Sequence, residues 1–201
     1  MSTTAAPYGL KPINLIGSQP YNGGGARAIS MTVNSATAIG TGDVILIGAA
    51  SAGQPSAATA TPVAGTTAGV LGVCVGVSYV DPTLKQQLFG QNIPANAITA
   101  GYTNVVIYVN DDPDQLYLLQ SAGSVARTVL GKFCALENFG VGTYGNSTIR
   151  GATPANTATL AMRIVDFQNT PSSQPGDTYT DLIVKFNHGV LMWQNTTVLA
   201  N

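Results

Sequence analysis

Several side chains in this 201-residue chain are of types that could do chemistry, and their spacing decides whether they would. Gly140-Val141-Gly142-Thr143-Tyr144-Gly145 has the G-x-G-x-x-G spacing. That spacing holds a pyrophosphate only where a strand turns into a helix whose N-terminal N–H groups meet the anion. The residues that follow, NSTIRGATPAN, cannot make such a helix, so the run reads as a loop. Asp111, Asp112 and Asp114 surround Pro113. A calcium loop needs ligands at alternating positions over about twelve residues and a closing Glu, which this run lacks. It reads as a structural turn, in which Asp carboxylates accept backbone N–H bonds and proline sets φ; the alternative is a weak surface cation site. His188 is the only histidine and Glu137 the only glutamate, so neither a hydrolytic triad nor a paired-carboxylate site can be assembled. His188 reads as a strand-end residue bonded to backbone. Cys74 in VLGVCVGV and Cys134 in KFCAL read as small buried apolar residues, without a metal framework. The expectation is a protein that is not an enzyme, with no catalytic residue, metal, cofactor or small-molecule substrate.

Composition points to contacts between proteins. Charged residues make up 8% of the chain, against roughly 25% in an ordinary domain, while 45% are apolar. A surface with so few ionised groups relies on Ser, Thr, Asn and Gln, or is covered by other chains. The net charge is −1 and the eight Lys and Arg are scattered singly, which predicts neither nucleic acid nor a membrane as partner. The opening MSTTAAPYGLKP lacks the features of a signal peptide, so synthesis in a cytosol is expected.

The elements that would position these residues are strands. Val105 to Val109 and Leu116 to Leu119 flank the Asp-rich turn and predict a β-hairpin. Val70 to Val80 is the most β-like run, and Gly72 and Gly76 within it predict a bulge or a close backbone approach. Further strands are expected at 28–33, 44–48, 133–137, 159–165 and 181–187. The loop at 49–69 has room for one more. Asp81 to Gly90 reads as a short helix, with Asp81 as N-cap and Pro82 in the first turn. Ser124 is expected to cap a turn or two over 125–130. The fold class is all-β: a sandwich, jelly-roll-like, or a barrel, of about eight to nine short strands over 28–201. Residues 1–27 carry Pro7, Pro12 and Pro20 and five glycines, which predict an extended N-terminal arm. Its apolar side chains need a surface. That surface is a neighbouring subunit, favoured here, or the domain's own flank. Tyr8, Leu10, Pro12, Ile13 and Tyr21 are the candidate contact residues.

The opening APYGLKPINLIGSQPYNG, the GDVILIG run, VLGVCVGV, NDDPDQLYLLQ, ATLAMRIVDF and DLIVKFNHG, in this order, resemble small virion structural proteins of tailed bacteriophages. Some of that family are capsid decoration or cement proteins. The resemblance covers nearly the whole chain. It implies a protein that binds the outer surface of an icosahedral head after shell expansion. It also implies a homotrimer at threefold positions and the major capsid protein as partner. The alternatives are another virion subunit, such as a tail-tube, tail-fibre or minor capsid protein, or a carbohydrate-binding β-sandwich.

Overall fold

The structure, a computed structural model, describes residues 4–17, 19–20, 25–47, 53–65 and 69–194. In chain order the strands are β1 (Lys11–Leu15), β2 (Gln19–Pro20), β3 (Arg27–Met31), β4 (Ile39–Gly40), β5 (Val44–Ile47), β6 (Pro55–Ala57), β7 (Val70–Val80), β8 (Gln87–Gly90), β9 (Asn92–Ile93), β10 (Thr103–Asn110), β11 (Gln115–Gln120), β12 (Phe133–Cys134), β13 (Leu136–Glu137), β14 (Arg150–Gly151), β15 (Met162–Phe167) and β16 (Asp181–Phe186). Nine of them run for four residues or more. The first sheet has the order β12-β15-β16-β11-β1-β2 and the second β3-β10-β7-β5-β6, with β8 also paired to β7. The chain is therefore all-β and sandwich-like, as the alternating apolar pattern predicts. The second sheet curls without closing into a barrel. Where β3 ends, the Thr32 amide and hydroxyl both donate to Gln54 Oε1, just before β6, so a side chain spans the seam.

Strand β7 sits at the centre because it serves two cores. Val70 and Val73 pack with Tyr117, Leu119, Met162, Ile164, Leu182 and Val184 of the first sheet. Leu71, Cys74 and Val77 pack on the other side with Met31, Ile45, Val105, Ile107 and Val109, inside the curl of the second sheet. Strict alternation would send Leu71 and Val73 to the same face. Two bulges change the parity: Ile45 and Leu46 stand opposite Gly72 and Val70, leaving Leu71 extra, and Tyr108 and Val109 stand opposite Gly76 and Cys74, leaving Val75 extra. Each extra residue precedes one of the glycines that mark irregularity in the sequence.

The predicted hairpin at 105–119 does not form. β10 pairs with β3 and β7, whereas β11 pairs with β1 and β16. The Asp-rich turn is an arch that carries the chain from one sheet to the other. Both flanking strands are apolar enough to be buried, and burial between two layers gains more than pairing with each other. The arch is held by Asn110, whose amide donates to Gln115 Oε1 at 3.1 Å and whose Oδ1 accepts the Asp112 amide at 3.3 Å. Both side chains are buried, Asn110 at 2% and Gln115 at 1% exposure, so they need these partners. The arch lies directly on β7 at Gly72, where an added methyl would overlap the Asn110 carbonyl oxygen and crowd Asp111 Cα.

Three further expectations are corrected. Asp81 does accept the amides of Thr83 and Leu84, as an N-cap would, but only one turn follows. Pairing with β7 then takes Gln87–Gly90 into β8, and the hairpin ladder replaces the helix. Ser124 donates its hydroxyl to the Gly176 carbonyl and caps nothing; the short 3-10 turn Arg127–Val129 starts after Ala126. The strand expected at 133–137 is split: β12 joins β15 and β13 joins β14.

Gly72→Ala is expected to destabilise the protein by about 3 kcal/mol or more, because backbone on both sides must move. Gly123→Ala, where a methyl meets open space, is expected to be near neutral. Urea unfolding of the two variants measures the difference.

Candidate interaction surface

The N-terminal residues chosen from sequence as a contact arm belong to the domain itself. The Ala6 amide donates to Gln120 Oε1 at 2.9 Å, the Tyr8 hydroxyl to Asp181 Oδ1 at 2.9 Å, and the Leu10 amide to the Gly42 carbonyl at 3.0 Å. Gly9 at φ +76° crosses Gly42 at φ +90° so closely that a methyl on either would collide with the other strand's backbone. Leu10 is 1% exposed and part of the main core. Pro12 stands opposite Tyr117 in β1, and Ile13 is half-buried. Tyr21 lies outside the described residues. The favoured reading of 1–27 as an arm on a neighbouring subunit is thus corrected at 6–15, which packs on the chain's own flank. Among the described residues β2 pairs with β1 at Asn14 and Leu15. Burial, with the Asp181 carboxylate adding to it, pushes the Tyr8 phenol well above its usual range.

This segment nevertheless walls a surface. Tyr8, Leu10 and Pro12 form one side of a groove of about 530 Å³, with Val75, Gly90 and Asn146 among the residues opposite. The groove sits at the Val75 bulge, in the gap between β5, which pairs with β7 as far as Val73, and β8, whose pairing with β7 begins at Val77. Two large aromatic side chains stand beside it in the chain. Phe89, the neighbour of Gly90, is 74% exposed, and Tyr144, two residues before Asn146, is 88% exposed. Phe89 lies opposite Ser78, on the face of the second sheet that also carries Val106 and points away from the inner core.

Both aromatics are held by ordered structure. The Gly140–Gly145 run closes as a tight loop: Gly145 donates to the Gly142 carbonyl at 3.0 Å and Gly142 to the Asn146 carbonyl at 2.8 Å. No helix follows it, so the dinucleotide spacing has no phosphate cradle. The helix signal at Asp81 and Pro82 hides Phe89 in the sequence. Tyr144 does carry a signal: a bulky aromatic in a glycine loop has no core position to occupy.

Behind the groove, next to Gly42, lies Asp43. It is 2% exposed, and its carboxylate accepts the Gly40 amide at 2.7 Å and a bond from the Ser147 side chain. Burial outweighs these bonds and pushes its pKa up to about 6. The Cys74 and Cys134 thiols are free and buried, and burial pushes both up to about 12. The turn carboxylates have structural partners: Asp111 pairs with Arg27 and Asp114 with Lys185, each at 2.7 Å, and Asp112 Oδ1 accepts the Asp114 amide at 2.8 Å. Glu137 pairs with Arg150 at 2.9 Å. His188, expected to bond the backbone, is exposed and lines a separate cleft beside Arg163 and Lys185.

No family model, curated protein or solved structure matches this chain.

The Asp43 carboxyl gives a pH prediction. Its folded pKa is raised, so the folded state holds the proton more tightly than the unfolded one. The associated stability is full below about pH 4 and is lost as pH rises through about 6. The shift corresponds to about 3 kcal/mol. Asp43→Asn keeps an acceptor for Gly40. It should flatten the slope between about pH 4 and 6 and raise stability at pH 7, as read by urea unfolding across pH.

Proposed function

We propose that the chain is a virion structural protein: a decoration, or cement, protein on the outer surface of a tailed-bacteriophage head. Its partner is the major capsid protein, its working form a homotrimer, and its location the virion. The observation that carries this reading is the pair of outward aromatics, Phe89 and Tyr144, beside the groove, on a chain with only 8% charged residues. Large side chains held out on ordered backbone, Phe89 on a strand and Tyr144 on a turn, are suited to burial against another protein. Burying one such ring stabilises a contact by about 1.5–3 kcal/mol. A trimer repeats the contact three times, so modest local affinity becomes firm attachment. The sequence resemblance supplies the phage head as the setting. The groove replaces the free arm as the attachment surface, because Leu10 is buried in the core.

The test uses expanded heads that lack the protein. The purified chain should co-sediment with them and should be trimeric by sedimentation equilibrium. Phe89→Ser combined with Tyr144→Ser should abolish co-sedimentation while changing stability by no more than about 1 kcal/mol. Leu10→Ala should instead cost about 2–5 kcal/mol of folding stability. If the double variant decorates heads as well as the parent chain, the groove rim is not the contact. If labelled protein marks tails and not heads, the tail-subunit reading replaces this one.

A further inference from the structure

On the other side of the first sheet, away from the groove, lies a cleft of about 440 Å³ beside the ends of β15 and β16. We infer that this cleft docks an acidic segment of a partner protein, with a carboxylate on Arg163 and an apolar side chain between Ile16 and Leu130. This rests on different residues from the groove and does not depend on the capsid reading.

Arg163 and Lys185 are directly opposite on neighbouring strands, so both project from the outer face of the sheet. The His188 imidazole lies beside them, and no carboxylate is among the described residues lining the cleft. Two of the chain's eight permanent cations therefore meet in one hollow. They are not equivalent. Lys185 is already bonded to Asp114 at 2.7 Å. Arg163 has no carboxylate partner among the described residues, and its guanidinium lies over the Phe133 ring, 5.6 Å from the centroid. A guanidinium stacked in this way keeps its N–H edge free for a two-point bond to a carboxylate.

The apolar walls narrow the class of occupant. Ile16 and Leu130 are 46% and 48% exposed, on either side of the cationic pair. A small inorganic anion would leave them wet, and at an open site its attraction would be screened by salt. Nucleic acid would need a row of free cations, and among the described residues of this cleft Lys185 is already paired with Asp114. A segment that alternates acidic and apolar side chains satisfies both parts of the cleft.

The probe is the peptide acetyl-Gly-Glu-Leu-Glu-Phe-Gly-amide, titrated into the full isotopically labelled chain. His188 is the only histidine, so its ring gives a single unambiguous NMR reporter. Saturable shifts are expected at that ring and at the amides of Gly131, Val165 and Asn187. Arg163→Gln should weaken binding by roughly tenfold, Arg163→Lys by less, and raised salt should weaken the parent complex. Leu130→Ser should also weaken it, which separates the apolar contribution from the charge. The inference is overturned by any of four results. These are no shift at about millimolar peptide, equal binding of the Gln-for-Glu peptide, the same shifts from acetate alone, or unchanged affinity in a folded Arg163→Gln chain.

Discussion

The close crossing of the Asn110 arch over Gly72 governs how this chain can fold. The arch must pass from the second sheet to the first at the point where β7 runs beneath it. Only a residue without a side chain leaves room for the Asn110 carbonyl. Once the arch is seated, β10 and β11 must lie in different layers. The polar groups carried into the interior by the crossing are met locally, because Asn110 and Gln115 bond to each other and the Tyr117 hydroxyl reaches Asn110 through longer contacts. A buried polar pair that satisfies itself stabilises one geometry and penalises its alternatives.

Two sheets joined in this way bury the eleven-residue β7 on both faces. The bulges at Leu71 and Val75 shift the alternation, so that Val70 and Val73 face one core and Leu71, Cys74 and Val77 the other. The Val75 bulge also leaves the gap between β5 and β8 in which the groove lies, so the packing device and the candidate surface share one cause. The N-terminal segment closes that gap on its second side. It is extended because of its prolines, and it is anchored because Leu10 fits the core and Gly9 fits against Gly42.

Two of the ion pairs among the described residues join the layers. Arg27 of β3 reaches Asp111, and Lys185 of β16 reaches Asp114, so each sheet is tied to one end of the arch. Partly exposed pairs of this kind contribute about 0–1 kcal/mol each, which makes them guides to register more than sources of stability. Among the described residues no buried side-chain polar atom lacks a partner. Asp43 has its partners too, yet burial still disfavours its charge, so its ionisation opposes the fold. Among the described residues Arg163 has an aromatic ring in place of a counter-ion.

The all-β class, the long strand at 70–80, the inward faces of β15 and β16 and the irregularity at Gly72 and Gly76 were all legible in the residues. Each rests on local preferences: period-two alternation, β-branched side chains, glycine's lack of a Cβ. The Asp-rich turn was legible as a turn for the same reason. What it connects was not, because a hairpin and an arch share one local signature and differ only in which strands lie beside them. Likewise, the sticky N-terminal residues could be recognised as needing a partner surface, but only the packed structure shows that β11 and the core supply it for Leu10 and Pro12. Phe89 and Arg163 became candidates only in three dimensions, since exposure and the absence of a counter-charge are properties of neighbours distant in the chain. Sequence determines how each segment prefers to run and which side chains avoid water. Tertiary structure decides which of the many apolar surfaces meet, because that choice depends on the total area buried and on close approaches such as Gly72, which no single segment contains.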